Sequence, residues 1–136
     1  MEILVTGGLG FVGSTLVDVL VKSNHSVTVI DNLSSTSSSI SYKNKLVTYI
    51  IDDIRNIKQL KFKNCFDIIY HLAGLARIQP SFNDPLSYID INVNGTAIIC
   101  EIAREHNSKL IYSSSSSINN GEYQTPYTFS KWGGEE

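Results

Sequence analysis

Cysteine is nearly absent. Cys65 and Cys100 stand far apart with no C-x-x-C pair and no clustered histidines, which excludes a disulfide framework and a zinc-ligand pattern. They read as two small buried thiols. Basic charge is not in excess either: eleven Lys+Arg face thirteen Asp+Glu, a net charge of −2. That balance speaks against a nucleic-acid backbone as partner, which needs a concentrated positive field. No apolar run approaches a membrane span, and Met1 passes directly into Glu2-Ile3-Leu4-Val5 without the basic start of a signal peptide. A reducing cytoplasm is the expected compartment. What is present is ordinary: 136 residues, 42% hydrophobic and 18% charged, with a mean hydropathy near zero. Such a chain forms one folded domain with a real core and is not a disordered tail.

The apolar residues are laid out as alternating strands and helices. Ile3-Leu4-Val5 stops at Thr6-Gly7-Gly8, and Leu9 to Val21 then carries Leu9, Val12, Leu16, Val19 and Leu20 at helical spacing. Ser26 to Ile30 is a second strand, ending at Asp31-Asn32. The serine-rich stretch from Asp31 to Ser41 reads as a mobile surface loop. Leu46 to Ile51 is a third strand, Asp53 to Leu60 a short helix, and Asp67 to His71 a fourth strand. Tyr88 to Glu105 reads as a long helix with Ile89, Val93, Ala97, Ile98 and Ile102 on one side. Lys109 to Tyr112 is a fifth strand that runs into Ser113 to Ser117, and a last helix starts near Pro126. The pattern predicts an α/β fold, a Rossmann-like doubly wound parallel sheet of five strands in the order 3-2-1-4-5.

Three groups of residues carry chemistry. Gly7, Gly10 and Gly13 fit G-x-x-G-x-x-G, and Gly8, Gly10 and Gly13 fit G-x-G-x-x-G, between a strand and a helix. Glycines there permit a tight turn and a close approach of backbone to a pyrophosphate at the helix N-terminus. Asp31 ends the next strand, where a carboxylate can accept from ribose hydroxyls. It would repel a 2′-phosphate, so NAD is favoured over NADP. Asp52-Asp53-Ile54 follows the third strand, where a carboxylate and the next amide could meet an adenine or could simply line a solvated loop. His71-Leu72-Ala73-Gly74 closes the fourth strand with small residues, and His71 reads as a packing or hydrogen-bonding residue. Finally, Tyr127 and Lys131 are four apart on the last helix and share a face. A phenol is a poor base at neutral pH, but neighbouring positive charge favours its phenolate.

Taken together, Thr6-Gly7-Gly8-x-Gly10-Phe11-Val12-Gly13, Asp31-Asn32-Leu33-Ser34, Asp53-Ile54, His71-Leu72-Ala73-Gly74, Asn92-Val93-Asn94-Gly95-Thr96, the serine run and Pro126-Tyr127-x-x-x-Lys131 resemble the extended short-chain dehydrogenase/reductases, within them the NAD-dependent sugar-nucleotide epimerase/dehydratase group. The resemblance covers almost the whole chain. It implies that Gly7, Gly10, Phe11, Val12 and Gly13 line the pyrophosphate, Asp31 and Asn32 hold the adenosine ribose, and Asp53 and Ile54 meet the adenine. Leu72, Ala73 and Gly74 would flank the cofactor, with Asn92 near the nicotinamide ribose. Tyr127 would be the catalytic base, Lys131 its partner on that ribose, and Ser115 the serine that contacts the reacting hydroxyl, with Ser114 or Ser116 one position away. The resemblance further implies a nucleotide-sugar substrate of the UDP-hexose type and a homodimer formed through the long helix and the helix that starts at Pro126.

The chain departs from that group in two places. Only eleven residues separate Ser115 from Tyr127, a short connection for the group. The group's members also run well beyond the catalytic helix, so residues 1–136 are expected to be the NAD-binding Rossmann domain without the C-terminal substrate-binding region. Ser116-Ser117 stands where 4,6-dehydratases place Asp-Glu, which favours epimerase chemistry. An NAD(P)-dependent reductase or dehydratase of the same group, and a dinucleotide-binding remnant without turnover, are the alternatives.

Overall fold

The computed structural model describes residues 1–35, 40–120 and 124–136. Its centre is β1 (Glu2–Thr6), whose apolar Ile3, Leu4 and Val5 alternate between the two faces of a sheet. Leu4 points to one side and Ile3 and Val5 to the other, all three inaccessible to solvent. A strand buried on both faces needs cover on both, and the chain supplies it with helices. β2 (Ser26–Ile30) and β4 (Ile68–His71) flank β1, while β3 (Thr48–Ile50) and β5 (Lys109–Tyr112) form the edges. All pairings are parallel, as the alternation predicts, and the order is the β3-β2-β1-β4-β5 expected of a Rossmann-like sheet.

One face is covered by α1 (Phe11–Lys22), which packs Val17 and Leu20 on Ile3, Val5, Val27 and Val29. The inward residues of α1 are Gly13, Val17 and Leu20. This corrects the expected stripe, because Val12 is 65% exposed and Val19 is also on the outside. The cause is Gly13, whose missing side chain lets the helix seat against the turn: a Cβ there would lie 2.2 Å from the Gly7 carbonyl oxygen. Once position 13 faces inward, positions 17 and 20 follow at helical spacing.

The other face is covered by a 3₁₀ helix (Ile54–Gln59) and a long helical rod. The rod consists of α3 (Pro85–Ile89), a π-helical turn (Asp90–Asn94) and α4 (Gly95–His106), preceded by the short α2 (Ile78–Asn83). It buries Tyr88, Asn92, Thr96, Ile99, Ile102 and Ala103. Of the expected stripe Ile102 is buried and Ile98 packs on the core, but Tyr88, Asn92 and Thr96 are buried in place of Ile89, Val93 and Ala97, and Ala97 is exposed. Each fully buried Ile or Leu on these faces contributes on the order of 2 kcal/mol. The third strand is shorter than expected, with Leu46 and Ile51 exposed outside it.

Both cysteines are exposed, against the expectation of buried thiols. Cys65 lies in the irregular segment before β4, and Cys100 is on the outward side of α4, next to inward Ile99. Of the serine-rich loop, residues 36–39 lie outside the described residues, as do residues 121–123 of the short connection before α5 (Pro126–Glu135). Among the described residues no helix is long and apolar enough to cross a membrane.

Candidate functional site

The carboxyl ends of all five parallel strands open on one side of the sheet, and there the chain leaves a cleft of about 260 Å³. A crevice at this edge, where the strand order reverses between β1 and β4, is the expected place for a ligand in an open α/β sheet. Gly7, Gly10, Phe11, Val12 and Gly13 form one wall, Asp31, Asn32, Asp53 and Ile54 another, and Leu72, Ala73 and Gly74 a third. Twelve of the residues singled out in the sequence thus meet in a single cleft. Asn92, Ser115, Tyr127 and Lys131 lie beyond it.

The glycine wall divides by cause. Gly7 adopts φ 72°, and a Cβ on it would sit 2.8 Å from the Ala73 amide nitrogen, so the turn and the approach to β4 both require glycine. Gly10 is different. A Cβ there would meet only the Gly7 carbonyl oxygen, at 3.3 Å, so its absence keeps the mouth of the turn open toward the cleft. Gly10 also caps α1 with no side-chain hydrogen bond, and the first turn carries no acidic residue. The positive end of a twelve-residue helix therefore faces the cleft without an internal anion, an arrangement suited to a pyrophosphate.

Asp31 follows β2 directly and is almost fully buried. Its Oδ2 accepts from Leu9 N at 2.9 Å and its Oδ1 from Leu33 N at 2.8 Å. A carboxylate has about four acceptor positions, so the side chain is fixed in place with capacity left for hydroxyl donors. Leu33 makes this possible by turning to φ 57°. At the neighbouring rim Asn32 donates to Asp53, which caps the 3₁₀ helix and is ion-paired to Arg55. Hydrogen bonds from Arg55 hold the Asp53 carboxyl down to about 2. The residues present thus fit an adenosine diphosphate moiety at both its phosphates and its ribose.

At the far end, α5 begins with Thr125 as N-cap and Pro126 in its first turn. Tyr127 Oη donates to Ser115 Oγ across 3.2 Å, joining the helix to the segment after β5. Lys131, one turn on, is 9% exposed. Its Nζ donates to the Ser113 carbonyl oxygen at 2.6 Å and lies 4.2 Å from the centre of the Tyr112 ring. Burial lowers the lysine to about 8, opposed by the negative charge of Glu135. Ser114, one alternative to Ser115, points instead to Glu135 at 2.9 Å. Ser116 starts a 3₁₀ turn (Ser116–Asn120), and Ser115 also bonds Ser117 Oγ.

Two residues that support the site, Tyr88 and Ser130, were not singled out in the sequence, and they flank Asn92, which was. Tyr88 donates to the carbonyls of Ala76 and Arg77 and meets the Tyr127 ring edge-on at 6.2 Å. Arg77 is held there at φ 80°, an unusual conformation for any residue with a Cβ, so Tyr88 pins a strained turn between the cleft and Tyr127. Asn92, 2% exposed, spends its amide on the protein: Oδ1 accepts from Leu75 N, and Nδ2 donates to Leu75 O and to Ser130 Oγ. Ser130 in turn donates to the Tyr127 carbonyl. The signal for Asn92 was the Asn92-Val93-Asn94-Gly95-Thr96 stretch that carries the family resemblance. Ser130 and Tyr88 gave none.

His71 is buried, as a structural residue should be. Its Nδ1 lies 2.6 Å from Thr6 Oγ1, which accepts from the Ala73 amide, and its Nε2 lies 3.0 Å from Thr96 Oγ1, which donates to the Asn92 carbonyl. Burial, helped by the charge of Lys131, pushes the imidazole down to about 3. It stays neutral and ties the glycine turn to the helical rod.

A dinucleotide-type cleft with a Tyr/Lys/Ser group at its far end defines a class of cofactor-dependent fold. Residues 3–131 match the model of the NAD dependent epimerase/dehydratase family, and the chain belongs to that family. Among curated relatives it is 36% identical to a UDP-glucose 4-epimerase of Neisseria meningitidis serogroup C, over 93% of this chain and 40% of that one. It is 32% identical to a UDP-glucose 4-epimerase of Klebsiella pneumoniae over 93% of this chain and 98% of that one. Solved structures agree. UDP-glucose 4-epimerase from Thermotoga maritima with UDP-glucose superposes with a TM-score of 0.87 at 28% identity, over 99% of this chain and 49% of that one. The enzyme from Bifidobacterium longum in complex with NAD+ and UDP gives 0.86 at 26% identity, over 99% and 47%. The chain thus spans about 40% of the length of the Neisseria relative and about half of these structures.

Proposed function

We propose that residues 1–136 form the NAD-binding domain and the catalytic Tyr/Lys/Ser group of a cytoplasmic nucleotide-sugar 4-epimerase that acts on a UDP-hexose as a homodimer. The observation that carries this reading is the Tyr127–Ser115 hydrogen bond at the end of a cleft whose other walls suit an adenosine diphosphate. Gly10 and the start of α1 would take the pyrophosphate, Asp31 the adenosine ribose, and Asp53 and Ile54 the adenine. Leu72, Ala73 and Gly74 would lie along the cofactor toward Asn92. When bound, NAD supplies a reversible hydride acceptor for the sugar carbon.

The chain's own residues would handle the proton. Tyr127 Oη takes it from the sugar hydroxyl as the carbon is oxidised, and returns it when the opposite face is reduced. Ser115, now the acceptor of the tyrosine proton, would turn its own hydroxyl toward the same sugar oxygen. Lys131, held by Ser113 and Tyr112, brings a positive charge to the same face of α5.

The test has two parts. Calorimetric titration should give tighter binding of NAD than of NADP, because Asp31 would face a 2′-phosphate with like charge. Equal or stronger NADP binding overturns the cofactor assignment. With the family's substrate-binding region joined to residues 1–136, conversion of UDP-galactose to UDP-glucose that vanishes in Tyr127→Phe supports the reaction, and retention of turnover by that variant refutes it.

A further inference from the structure

Lys131 is a buried cation without an ion pair. It is 9% exposed, and among the described residues no carboxylate stands within salt-bridge distance of its ammonium. Glu135 acts on it through charge alone, its Oε2 being taken by Ser114. Of the three N–H donors of an ammonium, one goes to the Ser113 carbonyl oxygen at 2.6 Å. Burial by itself drives such a group to give up its proton, so whatever else meets the charge decides how firmly the proton is held.

What else meets it is an aromatic face. Nζ lies 4.2 Å from the centre of the Tyr112 ring, inside the range in which the ring quadrupole attracts a cation. The ring is well seated. Tyr112 ends β5, its hydroxyl reaches the Lys131 carbonyl oxygen at 3.4 Å, and its ring tilts against the His71 imidazole at 5.7 Å. Gly134 explains how α5 comes so close: a Cβ there would stand 2.7 Å from Tyr112 Oη and 2.6 Å from the Asn92 carbonyl oxygen. Glycine is a poor helix former, and this approach accounts for its place in the last turn of α5.

We propose that Tyr112 is a positioning residue for Lys131: the face of its ring, brought against α5 by Gly134, holds the ammonium beside the Ser113 carbonyl and keeps it protonated there. The hold belongs to the ring and not to the hydroxyl, so a phenylalanine supplies it equally. A cation kept at this point still has N–H donors for the hydroxyls of a ligand reaching it from the cleft. That last step rests on the reading of the cleft as an NAD site, whereas the hold of the ring on the ammonium does not.

The experiment follows the titration of Lys131 in the 136-residue chain by NMR, with carbon-13 at the lysine ε-carbons and the signal assigned by its loss in Lys131→Arg. Tyr112→Phe keeps the ring face and should leave the midpoint within about 0.3 pH unit of the parent. Phenylalanines with one, two and three ring fluorines at position 112 keep the shape of the ring while draining its face of electron density. The midpoint should then fall step by step, by about one pH unit in all, a roughly tenfold loss of ammonium over amine. The other titrating groups around the pair do not distort this series. Glu135 and Tyr127 on α5 and Cys100 on α4 are common to every variant, and His71, pushed down to about 3 by burial, stays neutral throughout. The Tyr112 hydroxyl, pushed up to about 12 by burial, is absent from the fluorinated series. Midpoints that ignore the number of fluorines overturn the proposal, as does a Tyr112→Phe midpoint as low as that of the trifluorinated ring. Calorimetric titration of the parent chain with NAD separates the two readings. Absence of NAD binding with midpoints that track fluorination refutes the NAD site alone, and firm NAD binding with unmoved midpoints refutes the hold of Tyr112 alone.

Discussion

His71 Nε2 and Thr96 Oγ1, 3.0 Å apart, fix each other's protons. Thr96 donates to the Asn92 carbonyl at 2.6 Å, so its oxygen must accept from His71, and the imidazole carries its proton on Nε2. Thr6 then donates to Nδ1 and accepts from Ala73 N. Every hydrogen in this buried chain has one place to go, and a second proton on the ring breaks it.

Acid should therefore destabilise the fold through His71. The folded-state value of about 3 lies below the unfolded value of 6.5, so between these the unfolded chain binds the extra proton and the native chain does not. Stability falls as pH drops through that window, by up to about 1.4 kcal/mol per pH unit from this group. Denaturant melts of the parent and His71→Gln from pH 7 to 4 should converge as pH falls. Parallel curves would show that His71 does not carry the effect.

Lys131 predicts the mirror case in alkali. Burial holds the native ammonium at about 8 against 10.5 unfolded, so between these values the unfolded chain holds more protons and the fold gains stability as pH rises. The melting temperature of the parent relative to Lys131→Met should increase from pH 8 to 10.5. A constant difference would mean the lysine is not penalised by burial.

The glycines of the turn should separate folding from binding. Gly13→Ala places a Cβ 2.2 Å from a backbone oxygen and is expected to cost about 2 kcal/mol or more. Gly10→Ala makes one tight contact, 3.3 Å from the Gly7 carbonyl oxygen, and should cost much less stability than Gly13→Ala while weakening NAD binding, because it narrows the mouth of the cleft. Equal losses of stability in the two variants would contradict this division.

Ser115 and Ser114 make a matched pair. Ser115→Ala should reduce UDP-galactose turnover by roughly a hundredfold, the usual scale for one positioned proton-handling or donor group. Ser114→Ala, which frees only Glu135, should have little effect. The reverse order would move the catalytic role by one residue.

Much of this was legible in the sequence because it depends on neighbours along the chain. The parallel sheet follows from alternation, its order from the resemblance to a dinucleotide-binding fold, the last helix start from Pro126, and the cleft from glycine spacing. What was hidden depends on contacts across the fold. The inward face of α1 is set by Gly13 meeting Gly7, so a stripe counted from Leu9 pointed to the exposed Val12 and Val19. The bonds of Asn92 to Leu75 and Ser130 join residues 17 and 38 positions away, and no local pattern encodes them. The exposed cysteines belong here too: thiol chemistry alone did not indicate which side of α4 Cys100 would take.

The π-helical turn at Asp90–Asn94 acts as a phase adjuster. It lets Asn92 face α5 while Ile99 and Ile102, on the same rod, face the sheet. An α-helix advances about 100° per residue, so deleting one residue from the wide turn would restore regular winding and swing one of these two faces out of contact. The rod is thus intolerant of any change in length at this point, even though ordinary substitutions on its outer side, such as at Asn94, leave its angular setting intact.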